Sequence, residues 1–315
     1  MGINGGGGPR VNRKAKRALD QLGALPGMSS VKSQVEEMTQ FARISKLREQ
    51  NGLKAEPHSN HMVFTGNPGT GKTTAARLIG QAFAALGLLK PNTDDPPFVE
   101  VHHADVESEF VGLAEKKMKQ KFQEAKGGVL FIDEVYTFLG KSEHKTSEKV
   151  VGTIVQMLED MRDEVVVIVA GYPSETEQFL DSNPGLRSRF SNVIHFPDYE
   201  AKELIHIAEY MCSSRDYSMT AEFRQRLHQQ LKQEKLRPNF GNARTVRNLI
   251  EQAIKKQSVR VSCLSNPVRR DLVLLTGDDI QFEKKETPNE KLVLTKTLQR
   301  IHDRLQEIEF ENLLT

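Results

Sequence analysis

The chain has 315 residues, room for about two domains at roughly 100–200 residues each. Hydrophobic residues make up 37%, charged ones 27%, and the formal net charge is +2, which suits a globular protein with many exposed helical faces and gives no electrostatic argument for nucleic acid or a membrane surface as partner. Cys212 and Cys263 are too few and too far apart for a zinc site or a disulfide framework, so a reducing, cytoplasmic compartment is expected. The longest apolar run, Val165–Ala170, is strand-sized, far short of the about 20 residues that span a bilayer.

Residues 1–19 carry Arg10, Arg13, Lys14, Lys16 and Arg17 after a glycine run at Gly5–Gly8, with no acid among them, and read as a flexible basic arm. Residues 27–53 read as a helix capped by Ser29 or Ser30, with Val31, Val35, Met38, Ala42 and Leu47 spaced roughly along one face. An apolar strand, Met62-Val63-Phe64-Thr65, then runs into Gly66-Asn67-Pro68-Gly69-Thr70-Gly71-Lys72-Thr73, and a helical pattern begins at Ala75. Strand, glycine-rich loop and helix form the context that G-x-x-x-x-G-K-[ST] requires. Glycines let successive backbone N–H groups turn inward around phosphate oxygens, and the helix start adds its positive dipole end. Lys72 can reach the β- and γ-phosphates, and the Thr73 hydroxyl can ligate Mg²⁺. Gly66 through Thr73, with Thr74 beside them, are therefore expected to hold a nucleoside triphosphate.

Pro96-Pro97 breaks the chain before a second strand, Phe98–His102, and a loop containing Phe110-Val111-Gly112 precedes a helix over 115–125. The third strand, Val129–Ile132, ends in Asp133-Glu134. At a strand's carboxyl end Asp133 can hold the Mg²⁺ water shell beside Thr73, and Glu134 can orient or deprotonate an attacking water. A helix over 147–161 leads to a fourth strand, Val165–Ala170, apolar throughout as a central parallel strand should be, and then to Tyr172. Asn183–Phe190 precedes a fifth strand, Val193–Phe196. From Ala201 the character changes to helices, at 201–214, 220–235 and 241–260, with Asn242-Ala243-Arg244 at the start of the last. Residues 265–290 read as loops around a short apolar piece, Leu272–Leu275. Leu294, Leu298, Ile301, Leu305 and Ile308 alternate steps of four and three, the stripe of an amphipathic helix docked on the chain's own second domain.

The expected fold is α/β: a P-loop domain with a five-stranded parallel sheet over 20–198, a small helical lid over 199–265, and an extension over 266–315. The site belongs at the carboxyl ends of the strands.

The phrases His61–Thr73, Gly127–Glu134 and Ala170-Gly171-Tyr172, with Asn183–Phe190 and Asn242-Ala243-Arg244, resemble the AAA+ ATPases. Within them the match is to the red-type rubisco activase (CbbX) branch, which also includes stage V sporulation protein K and the ATPase of type VII secretion. The resemblance covers about residues 20–260. It implies an Mg²⁺-dependent ATPase, most often a ring of six like subunits with a related second subunit type as an alternative, whose sites lie between neighbours. By motif position Arg189 resembles the arginine finger that reaches a neighbour's γ-phosphate, with Arg187 as second choice. Arg244 resembles sensor 2, Tyr172 stands in the sensor 1 region, and the Gly27-Met28 turn sits where relatives contact adenine. Phe110, Val111 and Gly112 resemble the pore loop that grips a client polypeptide, although the chain continues Leu113-Ala114-Glu115-Lys116-Lys117 where the branch usually has Thr-Ala-x-Lys-Thr. The first expectation is thus a general remodelling motor. The alternatives are a rubisco activase and a nucleotide-gated assembly switch that binds partners through the C-terminal helix.

Overall fold

Uniformly apolar runs form the middle of the sheet. The computed structural model describes residues 13–54, 59–93, 95–108, 111–139, 145–237 and 240–280. In chain order α1 (Arg13–Ala24) and α2 (Ser29–Gln50) precede β1 (Met62–Thr65) and α3 (Lys72–Ala85). Then come β2 (Phe98–Val101), α4 (His103–Val106), α5 (Val111–Glu124), β3 (Val129–Ile132) and α6 (Lys145–Asp160). The α/β part closes with β4 (Val166–Gly171), α7 (Pro173–Asp181), α8 (Pro184–Arg189) and β5 (Asn192–His195). The lid holds α9 (Ala201–Ser213), β6 (Ser218–Met219), α10 (Ala221–Glu234), α11 (Ala243–Ser262), α12 (Arg269–Val273) and β7 (Leu274–Leu275).

The sheet has the order β2-β3-β4-β1-β5 and its pairs are parallel. Every residue of the inner strands β1, β3 and β4 is buried, whereas the edge strands β2 and β5 are only partly so. Successive side chains point to opposite faces. Met62, Phe64, Phe131, Ile168 and Ala170 therefore enter one core, and Val63, Leu130, Ile132, Val167 and Val169 the other. The second core is filled from α5 and α6, by Met118, Phe122, Ile154 and Leu158 among others. The first takes Ile79 and Phe83 of α3 and continues without a break into the lid through Leu204, Ala208, Phe223, Val246 and Ile250.

Three expectations change. Arg13–Ala24 is a helix packed on α3, with Ala18 and Leu22 buried, so residues 13–19 are not part of a flexible arm. Met28, in the left-handed region at φ 57°, is the N-cap of α2 and offers no side-chain cap, so Ser29 and Ser30 start the helix rather than cap it. Residues 265–280 are more ordered than loops: β7 pairs with β6, matching Leu274 to Ser218 and Leu275 to Met219. The C-terminal stripe from Leu294 to Ile308 lies outside the described residues. Among the described residues no helix is long and apolar enough to cross a membrane.

Candidate active site

Because β4 lies between β1 and β3, the glycine-rich loop after β1, Asp133-Glu134 after β3 and Gly171-Tyr172 after β4 meet at adjacent strand ends. The Gly66 N–H donates to the Gly171 carbonyl at 3.1 Å, joining the first and third of these segments directly. The cleft above them is lined from the loop side by Gly66, Pro68, Gly69, Gly71, Lys72, Thr73 and Thr74. Asp133, Glu134, Tyr136, Gly171 and Tyr172 form the opposite wall, and Ala243, Arg244 and Arg247 of α11 close it from the lid.

The Lys72 ammonium donates to the carbonyls of Gly66 at 2.8 Å and Asn67 at 3.0 Å, leaving a third proton for an anion. Burial in the cleft pulls its pKa down, the Asp133 and Glu134 carboxylates oppose that, and Arg244 adds to it. Asp133 is anchored by its N–H to the Val101 carbonyl at 3.1 Å. Its carboxylate accepts from the Glu134 N–H at 2.9 Å. Glu134 itself is exposed and held at φ 49°, a left-handed conformation that a non-glycine residue adopts at a cost and that turns its side chain off the strand line. Beside it the Tyr136 and Tyr172 rings lie 6.0 Å apart, and burial followed by the nearby Glu134 charge raises the Tyr136 phenol.

Asn67 and Thr70 face away from the cleft. The Asn67 amide donates to both oxygens of Asp198 at 3.0 Å, and the Thr70 hydroxyl donates to the Asn67 carbonyl at 2.8 Å. The Gly27-Met28 turn abuts the same outer side: a Cβ on Gly71 would stand 3.2 Å from the Met28 sulfur and 3.1 Å from the Tyr199 hydroxyl. Gly69, at φ 73°, has no room for a side chain because the Gly241 carbonyl of the lid fills that space.

Both finger candidates lie outside their own cleft. Arg189 donates to Glu159 at 2.9 Å and to the Gly185 carbonyl at 3.1 Å. Arg187 donates to Asp181 and Glu177, each at 2.7 Å. Phe110 lies outside the described residues, and Gly112 falls in the first turn of α5 rather than in a loop, since that helix begins at Val111. Sequence reasoning missed Tyr136 and Arg247. The second could have been found from helical spacing, because Arg244 and Arg247 stand three residues apart on one face.

Residues 62–198 match the ATPase family associated with various cellular activities (AAA), and residues 200–290 match the AAA lid domain. Stage V sporulation protein K of Bacillus subtilis (strain 168) is 34% identical over 273 residues, 86% of this chain and 84% of that protein. CbbX of Cereibacter sphaeroides is 35% identical over 274 residues, covering 86% and 87%. The chloroplastic ribulose bisphosphate carboxylase/oxygenase activase of Cyanidioschyzon merolae is 35% identical over 271 residues, covering 84% and 90%. A RuvB mutant from Thermotoga maritima superposes with a TM-score of 0.54 at 18% identity, over 82% of this chain and 69% of that one, a likeness of fold. With a nucleotide cleft roofed by a matching lid, and relatives of this kind along most of its length, the chain belongs to the AAA family of ATPases.

Proposed function

We propose that this ATPase is a Mg²⁺-dependent ring motor that remodels a client polypeptide. The observation that carries the reading is the division of its arginines: Arg244 and Arg247 line the cleft, while Arg189 is held on α8 away from it. A cleft with its own phosphate cradle and base, and a partly buried arginine held elsewhere by Glu159, suits sites completed by the next subunit. The loop amides and Lys72 bind phosphate, Glu134 activates water, Arg189 from the neighbour offsets charge on the transferring phosphoryl group, and Arg244 couples the nucleotide to the lid. Thr73 and Asp133 would hold Mg²⁺, which when bound neutralises charge on the phosphate oxygens. Their donor set fits that ion: a hydroxyl and a carboxylate line the same cleft as the phosphate loop, and Mg²⁺ commonly binds through one carboxylate together with substrate phosphates. The client is gripped at Phe110-Val111-Gly112, where an aromatic ring offers sequence-tolerant apolar contact.

A rubisco activase is the narrower second reading, supported by the name of the Cyanidioschyzon merolae relative. Sedimentation of Glu134→Gln with Mg·ATP tests the ring. Six-membered particles at micromolar concentration that hold a client, and lose it on Phe110→Ala, are the expected result. Monomers or dimers under those conditions overturn the motor and favour the assembly switch, and ATP hydrolysis indifferent to the rubisco substrate argues against an activase.

A further inference from the structure

The outer side of the phosphate loop is held by the lid, one carbonyl at a time. The Pro68 carbonyl accepts from the Asn242 side-chain amide at 3.3 Å, the Gly69 carbonyl from the Ala243 N–H at 3.1 Å, and the Thr70 carbonyl from the Tyr199 hydroxyl at 2.9 Å. In a trans peptide the C=O and the following N–H point in opposite directions. Fixing these three carbonyls outward therefore aims the N–H groups of Gly69, Thr70 and Gly71 the other way, and none of the three donates to a described residue.

All three holds meet at Asn242. Its side-chain oxygen accepts the Tyr199 N–H at 3.0 Å, its amide also donates to Asp198 at 2.7 Å, and its backbone leads straight into Ala243. Asp198 in turn receives Asn67 of the loop. Asn242 is fully buried at φ 48° and ψ −124°, a conformation that costs energy for any residue but glycine and persists only where the surroundings over-determine it.

We propose that Asn242 is a positioning residue for phosphate binding: by joining the lid to the loop's outer carbonyls it aims the loop amides at the nucleotide, so that lid docking and ATP affinity are one coupled equilibrium. Coupling of this kind is reciprocal, so nucleotide also holds the lid down. The inference rests on the reading that ATP occupies this cleft.

Asn242→Asp keeps the acceptor for Tyr199, removes the donor to Pro68 and Asp198, and sets a second carboxylate against the first. We expect its dissociation constant for a fluorescent ATP analogue to rise about tenfold, the equivalent of about 1.4 kcal/mol. Adding Asp198→Asn restores a donor–acceptor pair and should recover the affinity to within about threefold of wild type, the Pro68 contact and one of the two Asn67 contacts remaining lost. Spin labels at Glu49→Cys and Lys232→Cys, in a Cys263→Ser background, should show one core–lid distance in the parent with ATP and an added, broader population in Asn242→Asp. Should that variant fail to fold, Tyr199→Phe removes one hold and is expected to weaken binding about threefold. Wild-type affinity in either variant, or a double variant no tighter than the single, overturns the inference. A parent protein that does not bind ATP overturns instead the reading on which it rests.

Discussion

Arg189 donates to Glu159 at 2.9 Å, a bond from the end of α8 to the end of α6 that holds the guanidinium about its own Gly185 carbonyl and away from its own cleft. If a neighbour uses this arginine, Arg189→Ala should bind ATP normally yet hydrolyse it about a thousandfold more slowly, and Glu134→Gln should be equally inert. Mixing the two gives interfaces that pair an intact Glu134 with an intact Arg189, about a quarter of the total on random assembly of a ring. Phosphate release from the mixture should therefore reappear at roughly that fraction of the parent rate. A mixture as inert as its components contradicts a shared site.

His61 makes the fold sensitive to acid. It is buried beneath the sheet, where its Nδ1 accepts the Val167 N–H at 3.1 Å, which leaves the ring proton on Nε2, facing the Leu158 carbonyl at 3.4 Å. Burial pulls its pKa down to about 4; the Leu158 carbonyl and Asp163 oppose this, and Arg162 and Arg189 add to it. The folded chain thus keeps the ring neutral while the unfolded chain takes up a proton below about pH 6.5. The contribution of His61 to stability is complete above that pH and is lost as pH drops towards 4, a fall on the order of 3 kcal/mol. Urea midpoints measured from pH 7.5 to 4.5 should decline less steeply in His61→Asn, which keeps an acceptor for Val167. Parallel declines would assign the acid sensitivity elsewhere.

The inner strands and the loop after β1 are legible in the sequence because continuous burial leaves continuous apolar runs, and because the phosphate loop needs glycines at set positions. Strand order is not legible: Val129–Ile132 and Val166–Ala170 are equally apolar and say nothing about which neighbour each pairs with. Helix α1 hides because only a narrow stripe, Ala18 and Leu22, enters the core beneath a run of basic residues. The ring of holds on the loop is invisible for another reason. Asn242 and Tyr199 are polar or mixed residues in turns whose partners on the loop are backbone carbonyls, which carry no residue identity to read, and Asp198 accepts from the side-chain amides of Asn67 and Asn242, far apart in the sequence.

The lid's far end depends on an ion pair with one buried partner. Asp279, 2% exposed, accepts from Arg260 Nε and Nη2, each at 2.9 Å, and from the Thr276 N–H at 2.7 Å. Asp279 is the buried partner, and Arg260, 30% exposed, stays partly hydrated when Asp279 is lost, so the cost is that of charged hydrogen bonds, about 1.5–3 kcal/mol. Asp279→Ala should lower the urea unfolding free energy by about that amount, and Asp279→Asn, which still accepts from Thr276, by less. A loss under about 1 kcal/mol would mean that solvent at the half-exposed Arg260 end already screens the pair.

Arg244 and Arg247 share the cleft but are not expected to do the same work. Arg244 is close enough to Lys72 for its charge to lower the lysine's pKa, and Arg247 lies nearly one turn further along α11. Charge that develops around the transferring phosphoryl group should therefore be felt chiefly by Arg244, and the remainder of the nucleotide by Arg247. Among the described residues neither forms an ion pair, so either can be removed without stranding a partner. An interaction made only in the transition state lowers kcat when lost, while uniform binding raises KM. Arg244→Ala should accordingly reduce kcat at least tenfold with little change in KM, and Arg247→Ala should raise KM about tenfold with kcat nearly intact, both read from steady-state ATP hydrolysis. The opposite split would place the γ-phosphate beneath Arg247 and move the sensor role one turn along the helix.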